Sequence, residues 1–317
     1  MTTLSPVARA ALVVSAALAL ATAARADDPK LAPPGKGGVR RVGVFIGVQT
    51  YASKQIPRLR APERDARDME EALRAACDLG RTHLLTNKDA TREAITDVIA
   101  RQLPQETRPG DEVVIYWSGH GLHLPETDPK APRPVRLFLI PHDGDPASTD
   151  AVLRTMVRDT TFRDWLLALE GRRVVVILDT CHSGAVPARA GAKPLEFKAV
   201  PPPPPPAGLV PRAVLRFPDH FLADLTKGVR GATAGLWVLA SSRANQPSFE
   251  RPRGDHGVMT YFLLEAIATE KKGQPLTVAD VAKLLAAKVP AYVKDEYEAE
   301  QNPVFDGPSD PPALLRR

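Results

Sequence analysis

The amino-acid sequence predicts an α/β fold with a mostly parallel central sheet flanked by helices. Apolar β-type runs such as Val42–Val48 and Val174–Leu178 lack polar alternation, which suits strands buried on both faces of a parallel sheet. These runs alternate with segments of helical spacing such as Glu63–Leu79 and Val258–Thr269. Alternating strands and helices are typical of a parallel sheet with helices packed on its faces.

The individual elements follow from the same patterns. Strands are expected at 42–48, 83–85, 111–117, 137–140, 174–178 and 236–240, and helices at 63–79, 91–103, 162–169, 258–269 and 278–288. Gly80 is expected to end the first helix, because glycine commonly follows the last helical turn. Asp89 or Thr91 is expected to cap the second helix and Pro104 to break it.

The composition argues against nucleic acid as a partner. The chain has 317 residues, of which 44% are apolar and 25% charged, as is ordinary for a soluble globular protein. The formal net charge is +5, and removal of Arg9 and Arg25 with the N-terminal segment leaves +3. A charge this small and dispersed gives no reason to expect a nucleic-acid-binding protein.

The first 26 residues are expected to be a secretion signal. An apolar stretch at 10–21 follows Arg9, and Ala24-Arg25-Ala26 forms an A-x-A cleavage site. An uncleaved membrane anchor is the alternative, although this stretch of about 12 residues is shorter than the roughly 20 that span a bilayer. The protein is therefore expected to be exported, to a periplasm or out of the cell, without stable membrane insertion.

One domain is expected after the signal. Residues 27–38 are rich in Pro and Gly and are expected to be a linker, and residues 39–317 are expected to form the domain. A segment of poor periodicity interrupts it at about 185–234 and contains six consecutive prolines, Pro201–Pro206. Such a run adopts an extended polyproline II conformation, and a long irregular segment inside a compact domain is usually functional or disordered.

Two strand ends carry the residues that could perform chemistry. Trp117-Ser118-Gly119-His120-Gly121 follows one apolar strand, and Asp179-Thr180-Cys181-His182-Ser183-Gly184 follows another. Ligand sites in open α/β sheets form outside the carboxyl ends of the strands. His120 is a candidate general base for Cys181, because an imidazole can take the proton of a thiol and hold the thiolate. The backbone N–H groups of Gly121 and Cys181 are candidates for an oxyanion hole.

Each of these residues also has a structural interpretation. Cys181 could be a core residue, and His120 could be an ordinary loop residue. A metal site built from His120, His123, Cys181 and His182 is disfavoured, because the three-residue His spacing lies in a loop and no carboxylate cluster completes a ligand set. Cys77 lies in a helical pattern and is expected to pack as a small apolar group, and both cysteines are expected to be unpaired.

The two motifs resemble the His and Cys motifs of the caspase-like peptidases, and the second is most similar to that of metacaspases and their bacterial relatives. Further likeness is found at 42–48, 59–73, 240–242, 257–264 and 301–305, so the resemblance covers about 39–307. It implies a caspase-like three-layer α/β sandwich and a catalytic dyad of His120 and Cys181. The separation of these two residues, 61 positions, is close to the roughly 50 of caspases.

The resemblance also implies a preference for Arg or Lys at P1, the residue before the cleaved bond. The positions that match the acidic primary pocket (S1) of metacaspases are Asp65 and Asp179, with Ser118 beside them. A carboxylate there pairs with a guanidinium or ammonium group and rejects an aspartate. Without the resemblance, Asp65 would be a solvated helix residue and Asp179 a strand-end cap. Pro62 departs from the family pattern, since metacaspases often have a Cys at that position.

The sequence therefore predicts a cysteine-type endopeptidase that cuts protein or peptide substrates after Arg or Lys. Two alternatives stay open: an exported caspase-like domain that binds peptides or protein partners without cutting them, and a related thiol hydrolase of another specificity. Two interpretations of the Pro-rich insertion stay open: self-cleavage after one of its basic residues, Arg189, Lys193, Lys198, Arg212 or Arg216, and a passive loop.

No cofactor is expected to be required. Calcium activates some metacaspases, and acidic residues lie near the corresponding region, namely Asp143, Asp145, Asp150 and Asp159. These residues do not form a recognisable Ca²⁺-binding loop.

Overall fold

The protein is described by a computed structural model that covers residues 30–35, 38–125, 135–180, 229–243, 246–269, 276–309 and 313–315. Its strands are β1 (Arg41–Gly47), β2 (Arg81–Thr86), β3 (Glu112–Gly119), β4 (Gly121–Pro125), β5 (Val135–Leu139), β6 (Val157–Arg158), β7 (Arg173–Thr180), β8 (Gly235–Ala240), β9 (Leu276–Thr277), β10 (Val304–Asp306) and β11 (Ala313–Leu315). The predicted secretion signal and most of the Pro-rich insertion lie outside the described residues.

The described helices are α1 (Pro62–Cys77), α2 (Arg92–Thr96), α3 (Leu103–Glu106), α4 (Thr149–Thr155), α5 (Asp159–Leu167), α6 (Val229–Ala232), α7 (Val258–Ala268) and α8 (Val278–Tyr297), and a π-helical segment (Asp97–Gln102) joins α2 to α3.

A six-stranded sheet in the order β10-β8-β7-β3-β1-β2 forms the centre of the molecule. The strands from β8 to β2 are parallel, and only β10, at one edge of this sheet, is antiparallel. One face packs against α1, α7 and α8, and the other packs against the α2-to-α3 stretch and α5. The predicted three-layer α/β sandwich with a mostly parallel central sheet is therefore confirmed.

Burial on both faces explains why the strands lack polar alternation. Every residue of β1 is buried. Val44 and Ile46 belong to the core on one face, whereas Phe45 belongs to the core on the other. A strand whose successive side chains enter two separate cores must be apolar throughout.

Two helices run further than the sequence pattern predicts. Pro104 does not break the second helical stretch but lies in the first turn of α3, where a helix has no partner for the N–H group that proline lacks. The preceding π-helical segment changes the hydrogen-bonding register. Likewise, α8 continues through Pro290 to Tyr297 instead of ending near residue 288. Its buried face, which includes Val289 and Val293, holds the later turns against the sheet.

A smaller antiparallel sheet of β4, β5 and β6 packs beside the main sheet. Leu122, Leu124 and Phe138 contribute to its own apolar cluster. Because β4 begins one residue after His120, this sheet fixes the direction in which the chain leaves β3.

Part of the predicted linker packs on the domain. Leu31 and Ala32 are buried, and Ala32 N donates a 2.9 Å hydrogen bond to Glu106 O. The folded part of the chain therefore includes residues 30–35. No helix in the described parts of the chain is long and apolar enough to cross a membrane.

Candidate active site

The carboxyl ends of β3 and β7 lie side by side. The two strands are parallel, with Ser118 opposite Asp179 and Gly119 opposite Thr180. Gly47, at the end of β1, lies opposite Ser118 on the other side. The two sequence motifs thus begin next to each other at the carboxyl ends of β3 and β7. This is where the sequence predicts a site, because ligand sites form outside the carboxyl ends of parallel strands.

The ring of His120 is oriented by a backbone carbonyl. Its Nε2 lies 3.0 Å from Pro57 O, and His120 has no exposed surface. A carbonyl oxygen can only accept a hydrogen bond, so Nε2 carries the proton. In the neutral imidazole, Nδ1 is then the basic nitrogen. The contact therefore selects the tautomer in which Nδ1 can take a proton.

Tyr51 holds His120 from a second side. The backbone N–H of His120 donates to the Tyr51 hydroxyl at 2.9 Å, and that hydroxyl donates to Val48 O at 2.9 Å. The two rings are 5.2 Å apart between centroids. Tyr51 thereby ties the residue after β3 to the residue after β1, and it fixes the backbone from which the imidazole projects.

The other predicted members of the catalytic site are described only in part. Gly121 is buried and begins β4 opposite Leu139. Cys181 and His182 lie outside the described residues. Thr180, which precedes Cys181, is fully buried, and its carbonyl accepts a 3.1 Å hydrogen bond from Ser241 Oγ. The backbone that leads to Cys181 is therefore anchored to the end of β8.

Asp65 lies in α1, which packs directly on the end of β1. A Cβ atom on Gly47 would lie 2.2 Å from Pro62 O, so only glycine permits this approach. Asp65 is fully buried, and its Oδ2 accepts a 2.9 Å hydrogen bond from Ser118 Oγ. The structure thus brings together two of the three residues predicted for the S1 pocket.

Asp179 is also fully buried. Its Oδ1 accepts from Ser248 Oγ at 2.9 Å, and its Oδ2 accepts from the Thr260 hydroxyl at 2.6 Å and from Thr260 N at 3.2 Å. Because the Thr260 hydroxyl donates to Asp179, the Tyr116 hydroxyl, 2.6 Å away, donates to Thr260. Residues from β3, β7 and α7 therefore form one hydrogen-bonded network.

Gly257 lies between the two carboxylates. Its backbone N–H lies 3.2 Å from Asp65 Oδ1 and 3.3 Å from Asp65 Oδ2. A Cβ atom at this position would lie 2.3 Å from Asp179 Oδ2. The absence of a side chain lets the backbone pass between Asp65 and Asp179, so both acids border the same residue.

The negative potential of the two carboxylates is felt by Tyr116. Its pKa is raised well above the usual range, first by complete burial and then by the negative charges of Asp65 and Asp179. The charges of both acids therefore lower the electrostatic potential in the same region, which lies between α1 and the ends of β3 and β7. A local potential of this sign favours a cation.

The sequence did not identify His256, Gly257, Ser248 or Thr260 as site residues. Gly257 and Thr260 fall in a segment whose likeness to caspase-like peptidases was recognised, but their contacts with Asp65 and Asp179 follow only from the packing of α7. His256 Nδ1 lies 3.0 Å from Asp65 Oδ1, a contact between residues 191 positions apart. No local pattern in the sequence signals it.

The acidic residues considered for calcium have separate local roles. Asp143 Oδ1 accepts from Arg92 N, Asp145 Oδ1 accepts from Ala147 N, Asp150 lies in the first turn of α4, and Asp159 Oδ1 accepts from Thr160 N. Within the described ranges, no three His, Cys, Asp or Glu residues are grouped so that they could hold a metal ion.

An open groove of about 620 Å³ lies apart from the predicted S1 residues. Its charged lining residues are Arg243, Lys294, Glu298 and Glu300. Gln246 joins it to the loop after β8, because Gln246 Nε2 donates to Glu300 Oε2 at 3.2 Å. The mixture of basic and acidic side chains does not favour one class of ligand.

Solved structures with a similar fold include protein GSU0716 from Geobacter sulfurreducens, with a TM-score of 0.58 and 19% identity over 88% of this chain and 97% of that chain. Caspase-1 from Spodoptera frugiperda matches with a TM-score of 0.48 and 11% identity over 86% of this chain and 87% of that chain. The structure of pro-sf-caspase-1 matches with a TM-score of 0.47 and 11% identity over 88% of this chain and 92% of that chain. At 19% identity, the likeness to GSU0716 shows a shared fold alone.

The family model described as Caspase domain matches residues 40–310, whereas none of the curated proteins matches significantly. The matched range spans most of the chain and contains both strand-end motifs. The protein therefore belongs to the caspase-domain family, whose members are typically cysteine peptidases.

Proposed function

We propose that the protein is a cysteine endopeptidase that cuts after Arg or Lys with a dyad of His120 and Cys181. The observation that carries the proposal is the orientation of His120 at the end of β3. Its Nε2 is held by Pro57 O, and the neighbouring strand β7 ends at Thr180, the residue directly before Cys181 in the sequence. A base with a fixed tautomer next to a cysteine motif suits nucleophilic catalysis by a thiolate.

The proposed reaction proceeds in two steps. His120 takes the thiol proton of Cys181, the sulfur attacks the scissile carbonyl carbon, and backbone N–H groups, with Gly121 and Cys181 as candidates, stabilise the oxyanion. His120 then gives the proton to the leaving amine, and the C–N bond breaks. Water, activated by His120, hydrolyses the thioester, which releases the new carboxylate and restores the thiol.

The proposed preference for a basic P1 residue is supported by the two buried acids. Asp65 and Asp179 border Gly257, and the pKa of Tyr116 is raised first by burial and then by the charges of these two acids. A guanidinium or ammonium group offers several donors to such a site, whereas an aspartate would be repelled. Neither carboxylate has exposed surface, so the proposal requires the site to open when substrate binds.

Hydrolysis of matched fluorogenic peptides tests the proposal. Peptides with Arg, Lys or Asp at P1 are offered to the reduced protein and to the Cys181→Ala variant, with and without Ca²⁺. Cleavage after Arg and Lys that disappears in Cys181→Ala is the expected result. Cleavage after Asp would contradict the roles of Asp65 and Asp179, and no cleavage by folded, reduced protein would favour a domain that only binds peptides.

Self-cleavage, calcium dependence and export are each tested by a separate experiment. Self-cleavage in the insertion is expected to produce two fragments during long incubation of the active protein and none with Cys181→Ala. Calcium dependence is tested by activity with a chelator, and unchanged activity would exclude it. Export is tested by whether the mature protein, isolated from its own cells, begins at Asp27.

A further inference from the structure

Glu250 caps the start of α1 from a distant part of the chain. It lies in the loop between β8 and α7 and has no exposed surface. Its Oε1 accepts hydrogen bonds from Arg60 N at 3.0 Å and from Ala61 N at 2.9 Å. Ala61 is the N-cap of α1 and makes no side-chain capping bond. In a capping box, an acid three residues after the N-cap binds the N-cap N–H, but that position is Arg64, and Glu250 binds the N–H from 189 positions away.

The backbone that Glu250 holds leads directly to the acceptor of the His120 ring. Pro57 lies four residues before the N-cap, and its carbonyl oxygen is 3.0 Å from His120 Nε2. Pro57 is exposed, and a proline has no N–H group that could anchor it. Its position therefore depends on its neighbours. Leu59 N donates a 2.9 Å hydrogen bond to a carbonyl in the loop after β1, and Glu250 binds the next two residues.

The hairpin at 249–258, which carries Glu250, has further anchors of its own. The Tyr297 hydroxyl donates to Glu250 O at 2.6 Å. The Arg60 guanidinium donates to two carbonyl groups of the hairpin, at 3.2 and 3.3 Å. Glu250 also pairs with Gly257 through an antiparallel bridge. Loss of the carboxylate alone therefore leaves the hairpin, and with it Gly257, tied to the domain, whereas two backbone N–H groups at the start of α1 lose their acceptor.

We infer that Glu250 is a positioning residue that orients the proposed base His120 through Pro57. The inference rests on the proposed function and adds a residue to it. Without the carboxylate, the stretch 57–61 moves until its freed N–H groups find another acceptor. The Pro57 carbonyl then no longer selects the tautomer of His120 that keeps Nδ1 free to take a proton. Because Glu250 follows the Pro-rich insertion and His120 precedes it, the base is oriented only when both parts of the chain are packed together.

Kinetics with the Arg peptide test the inference. Glu250→Met keeps the length of the side chain but has no oxygen acceptor, and its kcat is expected to fall about 100-fold, because displacement of a reacting group by about 1 Å can cost that much. KM is expected to change by less than about twofold, since the other hairpin anchors stay in place. Glu250→Gln keeps a carbonyl oxygen at the position of Oε1, the oxygen that reaches both N–H groups, so it is expected to restore most of the lost kcat. A loss in KM alone, or equal losses of kcat in both variants, would overturn the inference.

Glu106→Met separates positioning from a loss of stability. Glu106 is a carboxylate that is 6% exposed, lies remote from the site and contacts His83 Nε2 at 2.8 Å. Urea unfolding measures the stability of both Met variants, and kcat is expected to fall in Glu250→Met only. An equal fall of kcat in Glu106→Met would overturn the inference. If Glu250→Met does not fold, Glu250→Asp replaces it, because a carboxylate withdrawn by one methylene group no longer reaches both N–H groups.

Nitrogen NMR of the imidazole keeps the two proposals distinguishable, because it requires no cleavage. In Cys181→Ala with isotope-labelled histidine, the His120 Nε2–H is expected to exchange slowly with water, and it is assigned by its absence from Cys181→Ala/His120→Gln. It is expected to be lost in Cys181→Ala/Glu250→Met and retained in Cys181→Ala/Glu106→Met. If Arg and Lys peptides are not cut at all, the proposed function fails and this measurement decides the inference. A slowly exchanging His120 Nε2–H that persists in Cys181→Ala/Glu250→Met, or that is absent from Cys181→Ala, would overturn it.

Discussion

Ser118 Oγ donates a 2.9 Å hydrogen bond to Asp65 Oδ2 and thereby joins residues that lie 53 positions apart in the sequence. Ser118 stands at the end of β3, two residues before His120, and Asp65 stands in the first turn of α1. The end of β3 therefore connects the predicted catalytic base, His120, to Asp65 of the predicted S1 pocket. A substitution at Asp65 is expected to alter the position of His120 as well as the binding of the P1 residue.

Removal of one pocket charge should reduce activity toward basic peptides. In Asp65→Asn and Asp179→Asn, kcat/KM for the Arg peptide is expected to fall about 100-fold, because loss of one partner of a buried charge pair costs about 3 kcal/mol. A matched peptide with citrulline, the uncharged analogue of Arg, at P1 should be affected far less. Asp164→Asn, which changes a carboxylate on the exposed face of α5, is the control. Equal losses for the two peptides would contradict a role in charge recognition.

A methyl group between the two carboxylates should damage the same pocket. In Gly257→Ala the new Cβ atom would lie 2.3 Å from Asp179 Oδ2, and overpacking of this kind costs about 1–3 kcal/mol. We expect kcat/KM for the Arg peptide to fall about tenfold or more. Gly231→Ala is matched to it, since a Cβ atom there meets nothing within 4 Å. Full activity of Gly257→Ala would refute the close approach.

Tyr51 should affect catalysis more than substrate preference. Tyr51→Phe removes the hydroxyl that accepts from His120 N and donates to Val48 O, and an unsatisfied buried group costs about 1–3 kcal/mol. We expect a lower kcat for Arg and Lys peptides alike, with an unchanged ratio between them, and a lower free energy of unfolding in urea. A changed Arg-to-Lys ratio would argue that Tyr51 contacts the P1 side chain.

The pH dependence of stability should have a contribution from Glu106, which is remote from the site. Burial raises its pKa, but hydrogen bonds and charge interactions with His83 and Arg81 outweigh burial and hold the pKa below its usual value of 4.5. A carboxyl group whose folded-state pKa is lowered stabilises the fold above the unfolded pKa, and this contribution is lost as pH falls through the folded pKa.

Urea unfolding between pH 3 and 7 measures this contribution. Glu106→Gln is expected to lower the free energy of unfolding at pH 7, and the difference should shrink as pH falls below about 4.5. Glu71→Gln, on the exposed side of α1, should change little at any pH. A constant difference across the range would show that Glu106 stabilises the fold by packing and not by its charge.

The candidate site is built from contacts between residues that are far apart in the sequence, so the sequence could predict only part of it. The pattern of 42–48 and 174–178 predicted strands buried on both faces, and the two motifs predicted a site at their carboxyl ends. These inferences use local periodicity and the geometry of parallel sheets, which do not depend on the rest of the fold. Burial of β1 on both faces and the pairing of β3 with β7 confirm the fold-level predictions.

Tertiary structure alone decided which groups surround the pocket. His256 and Gly257 reach Asp65 from positions 191 and 192 residues away, and the loop before α7 brings them there. Pro104 was wrongly expected to break a helix, and α8 runs past the predicted end at residue 288, because a π-helical segment and packing against the sheet outweigh local propensity. The sequence by itself determined the parallel strands of the central sheet and the place where they end, since that information is local. Which charged groups meet at these strand ends depends on tertiary structure alone, because helices and loops that are distant in sequence pack together across the sheet.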